Sequence, residues 1–212
     1  MGRARRSRWI AAACAALVLL LPAAGRAQGV VAPSAAPLPP LPDTSGWGVH
    51  ILALGRGRDG AIWVGTYGEG IFVLRPGATA WEHLKSDTTR TSLSFDFVHA
   101  FAFGPRNEVW YGTVGNGWGL SRDGGRTWRN WQYRELGPKW QYVAPNGLAI
   151  RGDTVFVATA DGIRWTRDHG ETWGAVTDTG TGALPSAYVL AVAAAFASGK
   201  PHLLEIEIEG KR

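Results

Sequence analysis

Two octapeptides hold the residue types from which a site could be built. Ser121-Arg-Asp-Gly-Gly-Arg-Thr-Trp128 recurs 45 residues later as Thr166-Arg-Asp-His-Gly-Glu-Thr-Trp173. The shared pattern is Ser/Thr-x-Asp-x-Gly-x-Thr-Trp. Two carboxylates repeated in this way invite an acid–base reading. A turn accounts for every residue type in the pattern instead. Asp123 and Asp168 accept backbone N–H groups as in an Asx turn. Gly125 and Gly170 supply a positive φ where a side chain would clash. Thr127 and Thr172 close the turn with their hydroxyls, as Ser121 and Thr166 open it. Trp128 and Trp173 cover the hairpin base with apolar area. These ten residues are therefore assigned to structure.

The remaining chemistry is sparse. Acids outside the octapeptides include Glu69, Asp96, Glu135 and Asp161. Glycoside hydrolysis needs two acids, or a tyrosine nucleophile with an acid partner, at set separations. No catalytic residue is assigned. His50, His83, His99, His169 and His202 are scattered without ligand-like spacing, so no metal site is expected, and no cofactor either. The single cysteine, Cys14, lies in the leader described next, which leaves no disulfide, thiol nucleophile or thiolate ligand in the mature chain.

Residues 1–8 carry four arginines, Trp9–Leu21 is a continuous apolar run, and small residues follow to Ala27. This is the order of a secretory signal peptide, cleaved after Ala27. The run is 13 residues long, short of the ~20 that span a bilayer. A membrane span is thus not expected after cleavage, and the protein is expected outside the cytoplasm, secreted or periplasmic. The leader holds five of the 22 basic residues (Arg3, Arg5, Arg6, Arg8 and Arg26) and none of the 17 acids, leaving 17 of each in the mature chain. No global basic field remains, which excludes nucleic acid and anionic lipid as expected partners. Residues 28–46, with five prolines, read as an extended linker whose last few residues are as readily an arm packed on the domain.

Around the octapeptides the sequence repeats. Gly60-Ala-Ile-Trp-Val-Gly-Thr66 matches Asn107-Glu-Val-Trp-Tyr-Gly-Thr113 and, more loosely, Asp153-Thr-Val-Phe-Val-Ala-Thr159. Trp63, Trp110 and Phe156 are 47 and 46 residues apart. Each core strand is preceded by one apolar run and followed by two, the last around Trp81, Trp128 and Trp173. Four short β runs every ~45 residues is the period of a propeller blade. The inner runs are apolar at successive positions, as strands buried on both faces must be. The fold class predicted is all-β: a β-propeller domain over 47–212, with blades at about 47–85, 95–132 and 143–177 and a partial fourth over 186–212. In that last part Leu204-Glu-Ile-Glu-Ile-Glu209 alternates strictly, which suits an edge strand. An incomplete propeller leaves a blade face open and is expected to self-associate or to be joined by further blades.

The two octapeptides resemble the Asp-box, or BNR, repeat. Ile62-Trp-Val-Gly-Thr-Tyr-Gly-Glu-Gly-Ile71, in a unit that keeps only Trp81 of the box, is similar to the propeller repeats of two-component regulator sensors. Together these resemblances cover about Trp47–Val176. They imply that the box joins the third and fourth strands, on the face opposite the binding site. Connections in a four-strand meander alternate between faces. Loops two-to-three (Thr66–Gly70, Thr113–Gly119, Thr159–Gly162) then share a face with the inter-blade segments. On that face the candidate ligand-binding residues are Tyr67, Glu69, Asn116, Trp118, Tyr133, Glu135, Trp140 and Tyr142. Trp131 reads instead as a plug between blades.

Aromatics among polar groups suit a carbohydrate or a protein or peptide ligand. The family resembled includes sialidases, xyloglucan-degrading hydrolases, sorting receptors and a photosystem assembly factor, so fold does not select function. The reading favoured is a binding or scaffold module without catalysis of its own. The alternatives are a sialidase- or xyloglucanase-like glycoside hydrolase fragment and the sensor propeller of a signalling system.

Overall fold

The structure, a computed structural model, describes residues 37–193 and the backbone strand Glu205–Ile208. The expected leader, linker residues 28–36 and most of the alanine-rich stretch after Ala191 lie outside the described residues. The chain divides into a unit Met1–Leu38 and a unit Pro39–Arg212; the second contains the folded sheets.

Three antiparallel meanders follow one another. The first is β1 (Ile51–Arg56), β2 (Ile62–Thr66), β3 (Ile71–Leu74) and β4 (Glu82–Leu84). The second is β5 (Val98–Phe103), β6 (Val109–Thr113), β7 (Trp118–Ser121) and β8 (Arg129–Trp131). After the one-turn helix α1 (Tyr133–Leu136) comes the third: β9 (Val143–Arg151), β10 (Thr154–Thr159), β11 (Gly162–Thr166) and β12 (Gly174–Val176). A two-stranded sheet follows, β13 (Val189–Ala193) with β14 (Glu205–Ile208). The sheets stack as blades, β1 against β5, β5 against β9 and β9 against β13. This is the incomplete propeller that the repeat predicts. Every residue of β6 is buried, as two-sided packing requires.

The outer face of blade 1 is open. Ile51, Leu52 and Leu54 are exposed there, Leu54 at 71%. The end of the linker lies on the same blade: Trp81 Nε1 donates to the Pro39 carbonyl at 2.9 Å. Asp43 Oδ1 accepts the Ser45 and Gly46 amides and its Oδ2 accepts that of Gly48, which folds the arm before Trp47.

Two seams join the three blades, and both use the same parts. Trp128 meets the Trp63 ring edge-on at 6.4 Å and 87°, and Trp173 meets Trp110 at 6.2 Å and 87°. The octapeptide turns set these tryptophans. Asp123 Oδ1 accepts the Thr127 amide at 2.9 Å and Oδ2 the Thr127 hydroxyl at 2.6 Å. Asp168 does the same for Thr172 at 2.9 and 2.6 Å. Ser121 and Thr166 donate to their aspartates at 2.8 and 2.7 Å and accept the Gly125 and Gly170 amides at 2.7 and 2.8 Å. Both glycines have positive φ, +94° and +85°, and a methyl group on either would strike a tryptophan of the preceding blade, Trp63 or Trp131. An arginine of that preceding blade, stacked on its own tryptophan, then donates to a carbonyl of the turn: Arg75 to Gly124 and Arg129 to Gly170.

The turn chemistry governs the acid limit of the fold. Hydrogen bonds from Thr172 and Thr166 hold Asp168 far below the ordinary carboxylate range. Burial pushes Asp123 up, but the bonds from Thr127 and Ser121 outweigh it and leave that group lowered as well. A carboxylate lowered in the folded state contributes stability that is full above its unfolded pKa, about 3.9, and lost as pH falls below it. Asp123→Ala is expected to cost about 1–2 kcal/mol at neutral pH, through turn amides left without an acceptor. Asp168→Asn is expected to flatten the fall in Tm between about pH 4 and pH 2. Thermal melts across pH check both; an unchanged acid slope in the Asp168 variant contradicts the assignment.

Candidate functional site

Hydrogen bonds tie each loop between second and third strands to an inter-blade connection. The Tyr67 amide donates to the His50 carbonyl, the Gly68 and Gly70 amides to Asp96, Val114 to Phe97 and Gly117 to Gln141. The Trp140 amide donates to Asp161 Oδ2 at 3.3 Å. The turns of Asp123 and Asp168 join third strands to fourth, at the other end of the meander. The two classes of connection therefore sit on opposite faces, and the candidate site belongs to the first.

Six of the eight candidates reach that surface. Tyr67 is 59% exposed and packs edge-on against Phe97 at 4.6 Å, which stacks on Phe95 at 4.8 Å. Glu69 is held by Lys85 Nζ at 3.2 Å and Thr44 Oγ1 at 3.1 Å. The bonds from Lys85 and then Thr44 lower its pKa. Tyr133 is 49% exposed at the start of α1, with Glu135 exposed on the same turn. Trp140 is half-buried, with a positive φ of 68°, and the Arg164 guanidinium lies 4.9 Å from its ring centre. Tyr142 stands between His99, edge-on at 5.6 Å, and Tyr188 at 6.4 Å. Burial is the main cause that raises its pKa.

Two candidates belong elsewhere. Trp118 is completely buried and packs on Trp173 at 5.1 Å. It starts a strand whose side points into the second seam, so it is core. Trp131 likewise stacks on Trp110 at 5.5 Å in that seam. Asn116 is spent on the chain. Its Nδ2 donates to the Ser94 carbonyl at 2.8 Å and its Oδ1 accepts the Tyr133 amide at 3.1 Å. Beside it the buried Tyr111 hydroxyl donates to Asn130 Oδ1 at 2.7 Å and accepts the Ser94 amide at 2.6 Å. Asn116 thus positions Tyr133 and the connection above it.

The acids on this face are mostly engaged too. Asp96 accepts the Ser86 amide at 2.7 Å and its hydroxyl at 3.0 Å, and Asp161 accepts from Trp140. A general acid needs a raised pKa, whereas that of Glu69 is lowered. Among the described residues no group of three or more His, Cys, Asp or Glu is placed to hold a metal ion.

Residue types and spacing did not single out three further participants. His99 lies at a bulge in β5, between Val98 and Ala100; burial lowers its pKa, and its Nε2 is buried without a hydrogen-bond partner. The first strands β1 and β13 bulge at the corresponding place. Such bulges re-aim a side chain beside a site. Tyr188 enters from the connection after blade 3. Arg164 has a buried Nε without a hydrogen-bond partner and forms no ion pair among the described residues.

No family model and no curated protein matches the chain. Solved structures do match. The extracellular domain of the hybrid two-component system BT3049 from B. thetaiotaomicron superposes with a TM-score of 0.53 at 20% identity, over 68% of this chain and 19% of that one. The fold is that of a propeller. The extracellular domain of BT4673 from the same organism gives 0.50 at 13% identity, over 74% of this chain and 19% of that one. YCF48 from Cyanidioschyzon merolae gives 0.48 at 15% identity, over 68% and 46%. This propeller chain thus spans about a fifth of the length of the two sensor domains. No helix among the described residues is long and apolar enough to cross a membrane.

Asn116→Ala is expected to lower stability by about 1–3 kcal/mol, because the Ser94 carbonyl and Tyr133 amide lose their partners. Denaturant melts measure it. A fully stable Asn116→Ala variant contradicts the positioning role.

Proposed function

We propose that this chain is a secreted binding module of the Asp-box propeller type that takes a carbohydrate or peptide ligand and does no chemistry on it. The site is the face made by the second-to-third-strand loops and the inter-blade connections. One observation carries the reading: aromatic rings stand on separate connections of this face, Tyr67 on Phe97, Trp140 and Tyr142, and Arg164, without a carboxylate partner among the described residues, stacks on Trp140. Aromatic faces bind sugar rings or apolar side chains, and a guanidinium without an ion pair donates to a carboxylate or a row of carbonyls. Glu69, Asp96 and Asp161 are tied to amides, hydroxyls and Lys85, which supports binding over hydrolysis. A second reading, a ligand-sensing extracellular propeller, is favoured by the two structures of highest TM-score given above, both extracellular domains of two-component systems.

Glycan-array and peptide-array binding, followed by calorimetry on the hits, tests the proposal. Tyr67→Ala and Arg164→Gln are expected to weaken binding at least tenfold, about 1.4 kcal/mol, with Tm unchanged for the exposed Tyr67. Ligands that bind both variants as well as the parent overturn the site. Turnover of a bound glycan that Glu69→Gln or Glu135→Gln abolishes returns the protein to the hydrolases. The secretory part stands or falls on the mature N-terminus, expected at Gln28 by N-terminal sequencing of exported protein.

A further inference from the structure

The outer face of blade 3 repeats the acceptor half of a seam, and the pairing register fixes which residues correspond. Trp63 pairs with Val73, Trp110 with Leu120 and Phe156 with Trp165. Ile71 pairs with Leu84, Trp118 with Trp131 and Ile163 with Val176. In the first seam the glycine of the incoming turn rests on Trp63 and Leu84. In the second it rests on Trp131, while Trp173 meets Trp110. The equivalents in blade 3 are Phe156 and Val176. Both line an open cleft of about 400 Å³, together with Thr154, Trp165 and Arg167. Arg167, which follows β11 as Arg75 follows β3, stacks on Trp165 at 5.1 Å, as Arg75 stacks on the Trp63 of its own blade. Arg75 donates to the carbonyl of the next blade's turn, a contact that Arg129 of β8 makes in the second seam. Arg167 forms no hydrogen bond or ion pair among the described residues.

The inner half of this face is already covered. Val189 and Val192 of β13 pack on Ala144, Ala149, Ala158 and Ile163. β13 and β14 thus stand where the first two strands of a following blade would stand. The cleft lies where its third-to-fourth-strand turn would land.

We infer that the cleft at Phe156, Val176 and Arg167 is a docking site for a β-hairpin of the aspartate-turn type, which completes β13–β14 to a four-stranded blade. The hairpin brings a tryptophan edge-on to Phe156, a small residue over Val176 and a turn carbonyl to Arg167. A folded second copy of this chain does not supply it. Its two aspartate turns are seated in its own seams, and β3, the third strand of its open blade, is paired on both edges. Strand addition at a sheet edge is an established mode of peptide recognition, and a hairpin of this type offered in trans meets the cleft in that mode.

The chain's own 162–177 segment, which fills the second seam, is the probe. Ile163 and Val176 are paired, so a head-to-tail cyclic peptide of this segment joins ends that are already close in the fold and restrains it before it binds. Fluorescein-labelled peptide titrated with the full chain is expected to bind saturably in anisotropy. The peptide carrying Trp173→Ala, and the chain carrying Phe156→Asp or Arg167→Glu, are expected to bind at least tenfold more weakly. Phe156 and Arg167 face the cleft, and an unchanged Tm in the Arg167 variant keeps the comparison clean. Absence of binding at millimolar peptide overturns the inference, as does binding that all three substitutions leave unchanged. Chain self-association that Arg167→Glu abolishes also overturns it, by making a second copy the occupant.

Discussion

Blade is held to blade by a tryptophan laid edge-on against the ring of another tryptophan. An aromatic pair in this geometry adds about 0.5–1.5 kcal/mol beyond the area it buries. It works only if both rings are held in place. Trp63 and Trp110 are fixed by two-sided burial in second strands. Trp128 and Trp173 come after short turns, where nothing but local hydrogen bonding can fix them. The aspartate supplies that bonding. One carboxylate closes the turn by taking an amide and a hydroxyl from the same threonine, and the glycine at positive φ lets the turn approach the preceding blade closely. The cost is visible in the same seams, where the indole N–H groups of Trp63, Trp110, Trp118 and Trp173 are buried without a hydrogen-bond partner. Large apolar rings tolerate that loss better than a rotated seam would.

A consequence is a division of labour between the two faces. The turns that join third and fourth strands are occupied with stability, and their aspartates are so strongly bonded that neither is available for proton transfer. The connections at the opposite face supply neither of the edge-on pairs, Trp63–Trp128 and Trp110–Trp173. Their backbone is tied by single amides to neighbouring loops, which leaves Tyr67, Tyr133 and Glu135 exposed. On the proposed reading, ligand contacts can vary there without loosening the stack, which is the general reason that binding residues collect on loops over a rigid scaffold.

How much of this was legible in sequence follows from which residues have only one physical use. The 47- and 46-residue spacing of Trp63, Trp110 and Phe156 fits nothing but a blade repeat, and the octapeptide types fit nothing but a turn. Trp118 was not legible in the same way. It lies in Gly117-Trp-Gly119, which reads as a loop tip, and a strand buried on both faces gives no alternation from which to tell its side. Asn116 has an amide suited equally to a ligand and to a loop, and only the positions of Ser94 and Tyr133 decide between them. His99 was hidden because a bulge shifts the register by one residue, and no residue type in Val98-His-Ala100 marks the bulge. Arg164, in Gly162-Ile-Arg-Trp-Thr166, resembles any strand arginine until the long connection before Tyr142 returns Trp140 to its face.

That return is the most costly piece of backbone in the candidate site. A tryptophan at φ 68° occupies the left-handed region, where a bulky side chain costs on the order of 1–2 kcal/mol. Three contacts hold it there: the hydrogen bond from its amide to Asp161 Oδ2, the guanidinium of Arg164 over the ring, and packing against the second-seam cluster. None of them needs the strained conformation for blade stacking, since Trp173, Trp131 and Trp110 close the seam without Trp140. Blade 1 and blade 2 meet at an equivalent seam with no such residue. What the strain secures is the position of an aromatic ring and an arginine side by side at the proposed binding face. Backbone strain of this kind clusters at functional sites, which supports the proposal that Trp140 and Arg164 stand at the centre of this one.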